Sequence, residues 1–159
     1  MPKIIQETEL NSVELNRSLT LGVFSINIQI GRKKTIMKRT ILFVDDSLSM
    51  RQVMSMAMKA EYFVVTTAFD GLDGVHKLDD CLYDVIISDV NMPNMDGIAF
   101  IKNVKEHTRN KFAKVIMLTT VCSEEIKEMG RDIGVNAWVE KPFRHEQLLA
   151  VINKLLRQV

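Results

Sequence analysis

Three aspartates, a threonine and a lysine stand close behind short apolar runs in this sequence. Asp45 and Asp46 follow "ILFV" (41–44), Asp89 follows "VIIS" (85–88), Thr119 and Thr120 close the segment that begins "KVIML" (114–118), and Lys141 follows "AWVE". If the runs are parallel strands, these side chains converge, because ligands of an open α/β sheet bind beyond the carboxyl ends of the strands. Two carboxylates about 5 Å apart at an effective dielectric of about 20 repel by about 3 kcal/mol, so three of them together require a cation. Carboxylate oxygens with room for water and a phosphate suit Mg2+, and Lys141 adds a second, fixed positive charge. Metal, ammonium and hydroxyl around an ionised carboxylate form a setting for phosphoryl transfer, in which that carboxylate attacks and becomes an acyl phosphate.

The elements that must position these groups follow from hydrophobic spacing. With "YFVV" (62–65) and "AWV" (137–139), the apolar runs number five, each short, rich in β-branched residues and nearly free of polar positions, as in strands buried on both faces. Between them lie helical patterns. Met50, Val53, Met54 and Ala57 fall at i, i+3, i+4 and i+7, with Ser49 and Gln52 as a capping box. Leu72, Val75 and Leu78 mark a helix behind Asp70, and Phe100, Ile101 and Val104 mark one after Gly97. Ile126, Met129 and Ile133 mark a fourth, with Glu124 and Glu125 at the positive end of its dipole and Gly134 at its exit. Leu148, Ile152, Leu155 and Leu156 mark the last. Five βα units demand a parallel sheet covered on both faces. The expected fold is α/β, a flavodoxin-like doubly wound (βα)5 sheet with strand order 2-1-3-4-5.

A chain of 159 residues supports one such domain and a tail. No stretch reaches the ~18 apolar residues of a spanning helix, and the N-terminus lacks the pattern of a secretory signal, so a cytoplasmic location without membrane insertion is expected. Cys81 and Cys122 show neither CxxC nor zinc spacing and read as reduced thiols. The net charge of +1 hides a split: residues 1–39 carry seven basic and three acidic side chains, the remaining 120 carry fourteen and seventeen. A mildly acidic body argues against a nucleic-acid surface on the domain. In the tail, "LTLGVFSINIQIG" (19–31) alternates at Ile26, Ile28 and Ile30 before the basic "RKKTIMKR". It could be an edge strand, an unfolded arm, or translated sequence upstream of a natural start at Met37. The third is favoured, since a chain starting there enters its first strand within three residues. Residues 1–37 are set apart as an extension and 38–159 as the domain.

"FVDDS" (43–47), "DVNMPNMDG" (89–97), "MLTT" (117–120) and "WVEKPF" (138–143) resemble the signature segments of response-regulator receiver domains, the chemotaxis CheY-like group in particular, in order over residues 40–159. The resemblance implies that Asp89 accepts a phosphoryl group from the phosphohistidine of a chemotaxis-type histidine kinase. It implies Mg2+ bound by Asp46 directly, by Asp45 largely through water, by Asp89 and by the main-chain carbonyl of Asn91. Thr119 would hydrogen-bond the phosphoryl group on switching, Lys141 would pair with it, and the Lys141–Pro142 bond would be cis. Trp138 occupies an aromatic switch position that is usually Tyr or Phe. Val121, two after Thr119, cannot hydrogen-bond a hydrolytic water, so self-dephosphorylation should be slow. With no output domain after Val159, the expected product is a protein contact made by the face of the fourth helix, fifth strand and fifth helix, with a flagellar motor switch protein as partner. A phosphorelay intermediate or a phosphate sink shares every site residue.

A hydrolase with an aspartyl-phosphate intermediate would need an acid two residues after its nucleophile, and Asn91 stands there; no activity on an external substrate is expected. A flavin or nucleotide module lacks its Gly-rich loop after the first strand. His76, His107 and His145 are scattered and read as solvated or capping groups, and the ten methionines as adaptable packing. Lys102, Lys105, Arg109, Lys111 and Lys114 read as a solvated face. Asp96 in "NMDG" is turn chemistry and should cap the helix near Gly97.

Overall fold

The computed structural model describes residues 20–21, 24–25, 38–121 and 123–157. The chain divides into two units, Met1–Ile36 and Met37–Val159. In the first, Thr20–Leu21 pairs antiparallel with Phe24–Ser25. The alternation at Ile26, Ile28 and Ile30 lies outside the described residues, as do Met37 and Cys122.

The second unit alternates strands and helices: β1 (Thr40–Val44), α1 (Leu48–Ala60), β2 (Val64–Ala68), α2 (Gly71–Leu78), β3 (Val85–Asp89), α3 (Gly97–Glu106), β4 (Lys114–Thr119), α4 (Glu124–Asp132), β5 (Ala137–Glu140) and α5 (His145–Leu156). All five strands are parallel, in the order β2-β1-β3-β4-β5, the winding expected from the sequence. Period two along the strands divides the core. Ile41, Phe43, Val85, Ile87, Ile116 and Leu118 pack with Met54 and Met58 of α1 and Leu148, Ile152 and Leu155 of α5. Leu42, Val44, Ile86, Val115 and Met117 pack on the other face with Leu78 of α2 and Phe100, Ile101 and Val104 of α3. Each fully buried Ile or Leu contributes about 1.5–3 kcal/mol, so the three central strands carry much of the stability. Among the described residues no helix is long and apolar enough to cross a membrane.

Several local expectations shift. β2 runs Val64–Ala68 and not 62–65: Tyr62 has a positive φ of 65° and turns the chain, while Thr66 and Thr67 belong to the edge strand. α1 is capped by Ser47, whose side chain accepts from Met50 N, so Ser49 lies inside the helix and heads no capping box. Its inward face is Met50, Met54 and Met58; Val53 is outward and 59% exposed. Leu72 and Met129 are likewise exposed. Asp96 does cap α3, accepting from Ala99 N at 2.8 Å. Gly134, with φ of 80°, takes the chain out of α4. His107 closes α3, with Nε2 3.3 Å from Asp79 and Nδ1 accepting from Asn110 N. Lys105 departs from the solvated face: it is half-buried, its stem lies over Gly134, and burial, with Lys114 adding to it, holds its pKa below the usual lysine value.

Candidate functional site

Strand register brings the acids together. Val44 lies opposite Ser88, so the residues that follow, Asp45 and Asp89, emerge side by side. Leu118 lies opposite Asp89 and Thr119 opposite Glu140, which sets Thr119 and Lys141 on the same rim. Carboxylate oxygens of Asp45, Asp46 and Asp89 fall within 4.8 Å of one another. Asp45 is fully buried, Asp89 is 7% exposed, and Asp46 faces solvent.

The Lys141 ammonium bridges the two buried acids, donating to Asp89 Oδ2 at 2.7 Å and to Asp45 Oδ2 at 2.9 Å. Its main-chain N–H donates to the Thr119 carbonyl at 2.7 Å, and the Lys141–Pro142 bond is cis. Burial by itself would lower the pKa of Lys141; the hydrogen bonds to Asp89 and Asp45 outweigh it, and the net direction is up. The remaining oxygens differ. Asp45 Oδ1 accepts from Ser47 N at 2.9 Å, which ties it to the start of α1, whereas Asp89 Oδ1 accepts a long 3.4 Å contact from Asn91 N.

Three carboxylates facing one ammonium leave two formal negative charges, the complement of one divalent ion. Around Mg2+, oxygens at 2.0–2.1 Å from the ion stand about 3 Å apart when adjacent and about 4.2 Å when opposite. Oxygens already within 4.8 Å need only small side-chain adjustments to share such an ion, and the donor set is all oxygen. The residues therefore fit Mg2+.

The side chains of the other expected residues are engaged elsewhere or face solvent. The Thr119 hydroxyl is turned into its own loop, donating to the Val121 carbonyl at 2.6 Å and accepting from Val121 N at 3.1 Å. Asn91 is exposed and touches the cluster through its N–H. Trp138 is partly buried, with its ring against Gly130 of α4. Asp96 is occupied with capping.

One contributor escaped the sequence reading. Arg51 Nη1 donates to the carbonyl oxygens of Asp45 at 2.7 Å and Asp46 at 3.0 Å, fixing the main chain that presents both acids. The available signal was its place in the first turns of a helix that begins just behind the acidic pair, from which a long cationic side chain can reach back over the loop.

Residues 41–153 match the family model of the response regulator receiver domain. Over 116 residues the chain is 34% identical to a probable chemotaxis protein CheY of Rhizobium etli, covering 72% of this chain and 90% of that protein. It is 30% identical over 118 residues to the transcriptional regulatory protein CpxR homolog of Haemophilus influenzae, covering 74% of this chain and 50% of that protein. The chain thus spans about half the length of that transcriptional relative. The chemotaxis protein CheY4 of Vibrio cholerae superposes with a TM-score of 0.72 at 40% identity, over 75% of this chain and 99% of that one. A family match over most of the chain, carried on the same strand order, means that this protein belongs to the response regulator receiver domains and is CheY-like in sequence and fold.

Proposed function

We propose that Asp89 is the phosphoacceptor of a two-component system. A carboxylate oxygen of Asp89 attacks phosphorus, the P–N bond to the histidine of a chemotaxis-type kinase breaks, and the imidazole leaves with the electron pair and takes up a proton. The observation that carries this reading is the ammonium of Lys141 held between Asp89 and Asp45 at the strand ends, with Asp46 beside them. Asp45, Asp46, Asp89 and the Asn91 carbonyl would hold Mg2+, which neutralises charge on the transferring oxygens when bound. Lys141 then follows the charge from the carboxylate to the phosphoryl oxygens, since its ammonium is already aimed at Asp89 Oδ2.

Phosphorylation adds about −1.5 to −2 charge at Asp89. To meet it, the Thr119 hydroxyl gives up the Val121 carbonyl and donates to a phosphoryl oxygen, and Trp138 on β5 turns inward behind it. The face of α4, β5 and α5 shifts population, and a partner that binds one form better reads the state. We assign that partner as a flagellar motor switch protein, with the protein acting in the cytoplasm, on the strength of similarity to chemotaxis proteins over 90% and 99% of their lengths. Phosphotransfer profiling tests the reading: purified kinases should label the wild type and not Asp89→Asn, and equal labelling of both would overturn it. A pull-down of the phosphorylated form against motor switch protein and a histidine phosphotransfer protein separates motor control from a relay or phosphate sink.

A further inference from the structure

The loop between β3 and α3 carries Asn91, and its tip is tied to a buried acid that the chemistry above does not use. Asp70, 1% exposed at the start of α2, accepts from Asp73 N at 2.8 Å with one oxygen and from Asn94 Nδ2 at 2.6 Å with the other. Asn94 sits at a positive φ of 61°, which aims its side chain across the loop. Next to this bond, Gly71 N donates to the Met95 carbonyl at 3.2 Å, and a Cβ on Gly71 would lie 2.6 Å from that same oxygen. The base of the loop is closed by Gly97 N donating to the Val90 carbonyl at 2.9 Å.

We infer that Asp70, acting through Asn94, is a positioning residue for the Asn91 carbonyl at the Mg2+ site; the inference rests on the metal-site reading above. A main-chain carbonyl cannot rotate independently of its loop, so its place as a ligand is set by whatever fixes the loop. A short, charge-assisted bond to a carboxylate that is itself buried is a strong fixture of that kind. Helix capping alone needs only the oxygen that accepts from Asp73 N. The second oxygen, spent on Asn94 twenty-four residues away, serves the loop.

Two substitutions separate the tether from the cap. Asn94→Gly keeps the positive φ without strain and leaves Asp70 free to cap α2. Asp70→Ser keeps a good capping group that is too short to reach Asn94. Calorimetric titration of the full chain with MgCl2 should show each variant binding about tenfold more weakly than wild type, the cost typical of losing a partner that orients a metal ligand. The double variant should be no weaker than either single one, because both remove the same contact. Far-UV circular dichroism checks that helix content is kept. If wild type binds Mg2+ and both single variants match it, the tether has no positioning role, although the site reading stands. If wild type itself binds no Mg2+, the site reading fails and takes this inference with it.

Discussion

Replacing Gly130 by alanine puts the packing of Trp138 to a quantitative test. A Cβ at this position in α4 would fall on Trp138 Cζ2, with Cε2 at 3.0 Å and Cη2 at 3.3 Å, so the indole must move for the methyl group to fit. Ordinary carbon contacts lie at about 3.5–4.0 Å. Helix propensity favours the change by about 0.8–1.0 kcal/mol. Overpacking opposes it by about 1–3 kcal/mol, since the ring is also packed against the core on that face of the sheet. The net effect of Gly130→Ala is thus a loss of roughly 0–2 kcal/mol. In a Trp138→Ala background the obstacle is gone, and the same substitution should stabilise by about 0.8–1.0 kcal/mol. Urea denaturation followed by circular dichroism gives both values, and the coupling between the sites should be about 1–3 kcal/mol. Equal stabilisation by Gly130→Ala in both backgrounds would refute the contact, and with it the idea that a glycine in α4 makes room for a tryptophan where a smaller ring is usual.

Lys141→Ala leaves the buried carboxylates of Asp45 and Asp89 facing each other, and should destabilise the metal-free protein by about 3 kcal/mol, the low end for a broken buried pair because the lysine side chain is 17% exposed; an unchanged urea midpoint without Mg2+ would contradict this. Val121 is 60% exposed beside Thr119, so a carboxylate there can orient water: Val121→Glu should lose its phosphoryl group several-fold faster than wild type, and equal decay of the two phosphoproteins would rule that out. Asp84 supplies a pH test. Burial pushes its carboxyl up, but the bonds from Thr40 N at 2.8 Å, Arg39 at 2.7 Å and Thr40 Oγ1 at 3.0 Å outweigh it and hold the pKa below the usual aspartate value. A depressed folded pKa means stability that is fully present above the unfolded value of about 3.9 and is lost as pH falls through the folded one. The stability gap between wild type and Asp84→Asn should therefore be constant above about pH 5 and shrink below about pH 4; a gap that does not change with pH would contradict the assignment.

Those parts of the molecule that depend on short-range pattern were legible in the sequence. Asp45, Asp89 and Thr119 could be placed because the central strands are unbroken apolar runs, and a parallel sheet sends the residue after each run to one rim. β2 was misplaced because an edge strand tolerates Thr66 and Thr67, so the apolar "YFVV" marked a turn and not the strand itself. Ser47 and Ser49 are both good caps, and only the path of the Asp45 loop decides between them. The Asp70–Asn94 bond, the Gly130–Trp138 contact and the reach of Arg51 over the acidic pair are meetings of side chains set by packing between elements. No periodicity in a single segment announces them.

The central claim is that one carboxylate, Asp89, becomes the acyl phosphate. Treating the full chain with acetyl phosphate and Mg2+, reducing the product with borohydride and sequencing the peptides by mass spectrometry locates the modified aspartate directly. Reduction at position 89 alone, abolished when Mg2+ is chelated, is the expected result. Modification at Asp45, Asp46 or Asp96 with Asp89 untouched would contradict it.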